Sequence, residues 1–309
     1  MASLPDIFSP PPRVRKRAPR RRDIGRRTLF NRGEETRDAQ MPEPHPRSRD
    51  FAWTPAVGPY TLVSEAQAEA FNRDGFFVLK DAFTAAEMDA VAEAIGPFEH
   101  AGEEALRQYP EGRRLIARAD AITFTIHLVA KSEALRDFSR HPVFQGLCHD
   151  LIGPAARLYW DQAVYKKPEN PDEFPWHQDN GYTFIEPQQY LTCWVALNDA
   201  TEENGCPWVA PGLHRLGTLA HRVTRLGMQC LDEAPDEVSA PARKGDVVVF
   251  SSLTPHRTGP NLTGEVRKAY ILQYAPDGAL AYPFGQEAGV PQIDPARQYR
   301  ISEWSRSDD

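Results

Sequence analysis

The chain has 309 residues, of which 41% are hydrophobic, and a formal net charge of −7. This is enough for a sizeable core in one large domain or two small ones, and no apolar stretch approaches the length that spans a bilayer. The acidic balance argues against sequence-independent nucleic-acid binding. Four scattered cysteines without a C-x-x-C pair argue against a disulfide framework or zinc ribbon and indicate a reducing, cytoplasmic environment.

The first fifty residues differ in charge from the rest. They carry thirteen Lys and Arg against seven Asp and Glu, a net +6, so the remainder carries −13. The basic run from Arg13 to Arg32 is interrupted by prolines and lacks hydrophobic periodicity, which predicts a disordered basic tail over residues 1–50. Because a charge run alone is weak evidence for a nucleic-acid or targeting arm, a solvated extension is the favoured interpretation. Residues 51–309 are predicted to form a single domain.

The first part of that domain is predicted to be a helical layer over residues 60–155. Ser64 to Gln67 and Thr84 to Glu87 both match a capping box, and a short strand is predicted between them at 75–79. Further helices are predicted over 84–95, 102–108, 132–140 and 142–151, the last starting with a proline in its first turn.

The pattern changes to strands from about Arg157. Short apolar or alternating runs, bounded by Pro, Gly and Asn, occupy 157–165, 190–197, 206–210, 246–250 and 268–275. Helices followed by many strands predict a mainly β domain, an antiparallel sandwich or barrel with N-terminal helices packed on it. Its core is expected over about 157–276. The segment 277–309 is interpreted either as a lid or as surface packing.

One histidine and one aspartate stand two residues apart, at His177 and Asp179. On an extended segment their side chains leave on the same side, and two histidines with one carboxylate can hold a ferrous ion while leaving its opposite face open. The triplet is common by chance, so an exposed pair near a turn is the alternative, but none of the other eight histidines begins an H-x-D or H-x-E. His256, just past the run at 246–250, is the candidate third ligand; a core or turn histidine is the alternative there.

These residues belong to a longer series of motifs. The series is Trp176-His177-Gln178-Asp179, Trp194-Val195-Ala196-Leu197-Asn198-Asp199, Glu203-Asn204-Gly205, Pro211-Gly212-Leu213-His214, Gly245-Asp246 and His256…Asn261…Arg267. In order and spacing, over roughly residues 60–275, it resembles the phytanoyl-CoA dioxygenase family. That resemblance implies a double-stranded β-helix (jelly-roll, cupin-like) core and dependence on Fe(II), 2-oxoglutarate and O2. Leu213 replaces the serine common in the family's Pro-Gly-Ser-His, a change expected to affect only the turn, where His214 is given a loop role.

The resemblance also implies a role for each site residue. His177, Asp179 and His256 would be the iron ligands, and Arg267 would pair with the distal carboxylate of 2-oxoglutarate. An arginine suits that task because its planar fork binds a carboxylate through two hydrogen bonds, each contact being worth roughly 1.5–3 kcal/mol. The remaining co-substrate contacts would come from Thr258, Gln162 and Trp194.

The activity implied is hydroxylation of a small organic substrate with release of succinate and CO2. Alternatives are desaturation, epimerisation or cyclisation of a natural product at the same iron, a catalytically inactive jelly-roll binding module, and a cupin-like metal protein without 2-oxoglutarate. An inactive module would tolerate loss of a ligand or of Arg267, and all four residues are present. Lys166 and Lys167 are interpreted either as attracting an anionic substrate or as covering an edge strand. The acidic body offers little to the phosphates of an acyl-CoA, and the oligomeric state stays open.

Overall fold

The computed structural model describes residues 42–234 and 236–301. The basic run of the predicted tail and the last eight residues of the predicted C-terminal segment lie outside these ranges. Within them the α-helices are α1 (Glu65–Asp74), α2 (Ala85–Leu106), α3 (Glu133–Phe138) and α4 (Pro142–Ile152). Short 3-10 turns lie at Pro110–Gly112, Leu128–Ala130, Asp179–Gly181 and Leu213–Leu216. Among the described residues, no helix combines the length and the hydrophobicity of a membrane span.

The helices begin where the sequence predicts. The Ser64 and Thr84 side chains each accept a hydrogen bond from the backbone amide three residues ahead. The Gln67 and Glu87 side chains in turn accept a hydrogen bond from the backbone amide of the cap residue, so both capping boxes are formed. The prediction of two helices at 84–95 and 102–108 is wrong, because α2 runs unbroken through Pro97. A proline removes one backbone hydrogen bond, and the buried face of α2 continues past it and keeps the helix packed.

Strands β1 to β17 make up most of the rest. In chain order they are Phe76–Leu79, Arg113–Arg114, Ala117–Arg118, Ile122–Ile126, Ala156–Lys166, Phe174–His177, Phe184–Glu186, Leu191–Ala196, Pro207–Val209, Arg222–Thr224, Gly227–Gln229, Val238–Ser239, Val247–Ser251, His256–Thr258, Arg267–Pro276, Leu280–Tyr282 and Val290–Pro291. The five runs predicted from about residue 157 onward correspond to β5, β8, β9, β13 and β15. The sequence pattern did not predict strand β4, which lies inside the predicted helical layer.

The core is a jelly roll of two facing sheets, as the resemblance implied. The major sheet has the order β1-β13-β8-β15-β5-β4-β3-β2, and the minor sheet has the order β12-β9-β14-β6. Strand β5 pairs with β15 on one side and β4 on the other. Smaller sheets, β10-β11 and β17-β16-β7, lie outside the two.

The major sheet is buried on both faces. Val247 and Val249 of β13 pack into the cluster formed with the N-terminal helices, whereas Val248 and Phe250 belong to the cluster on the opposite face. Side chains alternate along a strand, so a strand covered on both sides is apolar throughout. The helical layer therefore closes one face, and the other face lines a cavity toward the minor sheet.

The sequence predicted that the ordered domain starts at Phe51, but residues before Phe51 already pack against it. Ser48 is buried; its hydroxyl donates to Gln188 Oε1 at 2.9 Å and accepts from the Thr218 amide at 3.1 Å. Pro44 forms a β-bridge with Leu219. These polar contacts to distant loops carry no hydrophobic periodicity, so the local sequence pattern did not reveal them.

Candidate metal centre

The three predicted ligands converge at one end of the minor sheet. His177 is the last residue of β6, His256 is the first residue of β14, and the register of these strands places the two opposite each other. Asp179 opens the 3-10 turn that follows β6. One ligand-capable atom from each residue lies within 4.8 Å of the other two, and His256 Nε2 is 3.9 Å from Asp179 Oδ1. His177 and His256 are buried, and the three residues are close enough to bind one ion.

Main-chain carbonyls fix which nitrogen of each imidazole is free. His177 Nδ1 lies 2.8 Å from the Pro175 carbonyl, and His256 Nδ1 lies 3.0 Å from the Thr254 carbonyl. Because a carbonyl can only accept, each Nδ1 carries the proton and each Nε2 presents its lone pair, the form that binds a metal. Burial, with His256 nearby, also holds the pKa of His177 well below its usual value, so the ring is neutral.

A threonine orients the carboxylate. Thr192 on β8 donates its hydroxyl to Asp179 Oδ2 at 2.6 Å, and the Gln273 amide lies 3.5 Å from the same hydroxyl oxygen. Both Thr192 and Gln273 are buried. The bond occupies Oδ2 and leaves Oδ1 on the side of His256, so the carboxylate offers one oxygen to an ion.

Gln178 lies between the candidate ligands His177 and Asp179, and its hydrogen bonds hold this segment in place. Its buried side chain donates to the carbonyls of Gly217 at 3.0 Å and Leu253 at 2.6 Å and accepts from the Leu219 amide at 2.7 Å. Its backbone amide donates to His221 Nε2 at 2.9 Å. Sequence reasoning missed both Gln178 and His221, although the position of Gln178 inside the H-x-D triplet was an available signal.

The predicted co-substrate residues surround the same cavity. Arg267, Thr258, Gln162 and Trp194 all line it together with the three candidate ligands. The Arg267 guanidinium is buried, donates to the Val164 carbonyl at 3.3 Å and lies 5.2 Å from the centre of the Trp194 ring. Its Nε has no hydrogen-bond partner among the described residues. Burial lowers its pKa to about 10, so it stays charged at neutral pH.

The rest of the wall is mostly aromatic and aliphatic. Beyond the predicted residues the cavity is lined by Ile116, Ile122, Phe124, Tyr159, Trp160, Val164, Phe174, Tyr182, Thr183, Tyr190, Thr192, Phe250, Ile271 and Gln273. Strand β4, missed in the sequence, supplies Ile122 and Phe124. Apart from the two histidines, the lining residues include one basic side chain, Arg267, and one acidic side chain, Asp179.

This donor set fits a ferrous ion and a dicarboxylate. Two neutral imidazoles and one carboxylate oxygen are the facial ligand set of non-haem iron oxygenases. A buried arginine with an unpartnered nitrogen calls for an anion, because leaving such a donor unsatisfied is costly. His214, by contrast, does not line this cavity and is buried against Trp53, with ring centres 4.4 Å apart. A Cβ on Gly75 would come within 2.6 Å of its Nδ1, so the ring packs closely against the end of α1.

Comparison with solved structures shows which fold this is. A carbocyclase, SnoK of nogalamycin biosynthesis, described as non-heme and α-ketoglutarate dependent, superposes with a TM-score of 0.65 at 21% identity, covering 79% of this chain and all of the other. EctD from S. alaskensis, solved with 2-oxoglutarate and 5-hydroxyectoine, superposes with a TM-score of 0.62 at 23% identity, covering 83% and 91%. At this level of identity the likeness concerns the fold.

Sequence comparison shows the family. Methylphosphonate hydroxylase of Gimesia maris is 28% identical over 225 residues, covering 69% of this chain and 81% of that protein. Phytanoyl-CoA dioxygenase domain-containing protein 1 of Rattus norvegicus is 26% identical over 260 residues, covering 68% and 89%. The model of the phytanoyl-CoA dioxygenase (PhyH) family matches residues 71–269. The chain therefore belongs to the phytanoyl-CoA dioxygenase family and is an Fe(II)- and 2-oxoglutarate-dependent oxygenase.

Proposed function

We propose that His177, Asp179 and His256 bind Fe(II) and that the enzyme hydroxylates a small organic molecule, converting 2-oxoglutarate to succinate and CO2. One observation carries the proposal. Three donor atoms converge within 4.8 Å of one another at a cavity that also contains a buried guanidinium with an unpartnered nitrogen. Neither a binding module nor a metal protein lacking a keto-acid co-substrate requires that combination.

The co-substrate would be held by Arg267, Thr258, Gln162 and Trp194. Arg267 is charged and can bind the distal carboxylate, and Thr258 offers a hydroxyl to the same group. The Trp194 ring lies under the Arg267 guanidinium, 5.2 Å from its central carbon. The bound iron would supply the oxidant derived from O2, while the protein orients the substrate C–H and excludes water. The buried apolar wall serves that second task.

The cavity wall favours a compact substrate without a strong negative charge. Phe124, Phe174 and Trp160 offer apolar surface, and Tyr159, Tyr182 and Tyr190 add hydroxyl-bearing rings. The lining residues contain no permanently charged cation besides Arg267, which the co-substrate would occupy. The phosphonate named for the Gimesia maris relative and the phosphates of an acyl-CoA would therefore meet no permanently cationic lining residue that the co-substrate does not already occupy. We also propose a cytoplasmic location, because the four cysteines are free.

Anaerobic titration of the Fe(II)-loaded protein with 2-oxoglutarate tests the site. We expect a weak visible charge-transfer band in the wild type and none in Asp179→Ala, which lacks a ligand. In Arg267→Ala the titration should shift to 2-oxoglutarate concentrations about 10–100-fold higher, because a charge-assisted contact is lost. Arg222→Gln, which removes an exposed arginine on β10, is the matched control and should titrate like the wild type.

The same proteins then separate an enzyme from a binding module. A screen of small neutral molecules should find one that raises succinate formation above the uncoupled background in the wild type and not in Asp179→Ala. Absence of the band in the wild type, or an undisplaced titration in Arg267→Ala, would contradict the assignment of the site.

A further inference from the structure

A second buried basic residue lies beside Arg267. Lys166, the last residue of β5, is the direct cross-strand partner of Arg267 on β15 and is fully buried. Trp160, Gln162 and Val164 of β5 line the cavity, and side chains on one face of a strand recur every second residue. Lys166 therefore lies on the cavity side of the sheet. The interpretation that it covers an edge strand is wrong, because β5 has a neighbour on both sides.

The Lys166 ammonium is held by the strand that carries His256. Its Nζ lies 3.2 Å from Thr258 Oγ1, 3.4 Å from the Thr258 carbonyl and 3.4 Å from the Asp172 carbonyl, and it also donates to the Gly259 carbonyl. When Lys166 is protonated its amine is a donor only, so the Thr258 hydroxyl accepts the hydrogen bond from it. The hydroxyl proton of Thr258 is then left to donate elsewhere.

Asp172 and Glu173 are the acidic residues whose charge acts on Lys166, but neither carboxylate reaches its ammonium group. Within the described residues no carboxylate forms an ion pair with Lys166 or with Arg267. Burial and the nearby guanidinium both lower the pKa of Lys166 well below its usual value. A charge on Lys166 beside that of Arg267 is unfavourable by itself, and an anion bound between the sheets would offset that cost and favour the protonated lysine.

We propose that Lys166 is a positioning residue that makes this cavity select a keto acid with a second carboxylate. Lys166 adds positive potential to that of Arg267 and, by donating to Thr258, turns the Thr258 hydroxyl into a donor for that carboxylate. This inference rests on the proposed function, because it concerns the same co-substrate.

The test compares two keto acids that differ only in the distal group. 2-Oxovalerate has the chain length of 2-oxoglutarate and can chelate iron in the same way, but it lacks the second carboxylate. Dissociation constants for both are measured from the anaerobic visible band in wild type, Lys166→Met and Lys167→Met. The control residue Lys167 is the neighbouring lysine on the opposite face, where it pairs with Glu99 and Glu103 of α2.

We expect Lys166→Met to bind 2-oxoglutarate about tenfold more weakly, with 2-oxovalerate changed by less than about twofold. Lys167→Met should leave both constants unchanged. An equal loss for both keto acids, or no loss for either, would overturn the inference and make Lys166 a packing residue. If the wild type fails to bind 2-oxoglutarate at all, the proposed function fails instead.

A second variant covers the case in which Lys166→Met does not fold. Thr258→Val keeps the shape of β14 and removes the hydroxyl that Lys166 contacts. This variant should also bind 2-oxoglutarate more weakly while its binding of 2-oxovalerate changes little. A Thr258→Val protein whose preference between the two keto acids matches the wild type would also overturn the proposal.

Discussion

The hydrogen bond from Thr192 to Asp179 should control iron affinity. It is short, at 2.6 Å, and both its donor and the supporting Gln273 are buried. A hydrogen bond to a charged acceptor contributes roughly 1.5–3 kcal/mol. Thr192→Val removes this hydrogen bond and frees the carboxylate to rotate. The Gln273 amide also loses its acceptor, the Thr192 hydroxyl oxygen 3.5 Å away. Since about 1.4 kcal/mol corresponds to tenfold in affinity, we expect Fe(II) to bind about 10–100-fold more weakly, the range typical of such supporting residues.

The measurement is an anaerobic competition between the protein and a coloured ferrous chelator. Thr192→Ser retains the hydroxyl and should bind Fe(II) like the wild type, so it separates the hydrogen bond from a change of size. Thermal unfolding of the metal-free variants establishes that each is folded. A folded Thr192→Val protein whose Fe(II) dissociation constant lies within about threefold of wild type would refute the view that this bond orients the carboxylate.

Two further substitutions test the framework. A Cβ on Gly181 would come within 2.2 Å of His221 Nε2, so Gly181→Ala should displace the ring that accepts from the Gln178 amide and lower the free energy of unfolding by about 1–3 kcal/mol, as measured by urea denaturation; unchanged stability would contradict this contact. Burial raises the pKa of Asp161 to about 6, above the unfolded value of about 3.9. The folded state therefore holds this proton longer, and the wild type should lose up to about 3 kcal/mol of stability from this group as pH rises from about 4 to 6. Asp161→Asn cannot titrate, so its stability relative to wild type should increase over that window; a difference independent of pH in urea denaturation would show that Asp161 does not titrate there.

Local sequence patterns predicted the elements that depend on neighbours in the chain. The capping boxes at Ser64 and Thr84 work through backbone groups three residues away, and the apolar run of β13 needs only a sheet covered on both faces. The candidate ligands were predicted for a similar reason. Spacing alone brings His177 and Asp179 together. His256 was a candidate from its place just past the run at 246–250, and the resemblance to a known series of motifs supported it and assigned Arg267.

What the sequence did not predict depends on residues distant in the chain. Strand β4 is a strand because its residues pair with β5 in the major sheet, although it lies among helices. The burial of Lys166 follows from the pairing of β5 on both sides and from contact with β14, more than ninety residues later. The bond from Gln178 to His221 spans 43 residues. None of these contacts leaves a periodic signal near the residue concerned.

The three candidate ligands differ in how they are held, and that difference predicts where the centre is sensitive. Each histidine takes its tautomer from the carbonyl of the residue two positions before it, so the side chain at that position does not set the proton. The carboxylate depends instead on a side chain of the opposite sheet, through the bond from Thr192. Substitutions in the major sheet should therefore change metal affinity mainly through the orientation of Asp179. Both imidazoles should keep their orientation as long as β6 and β14 stay paired.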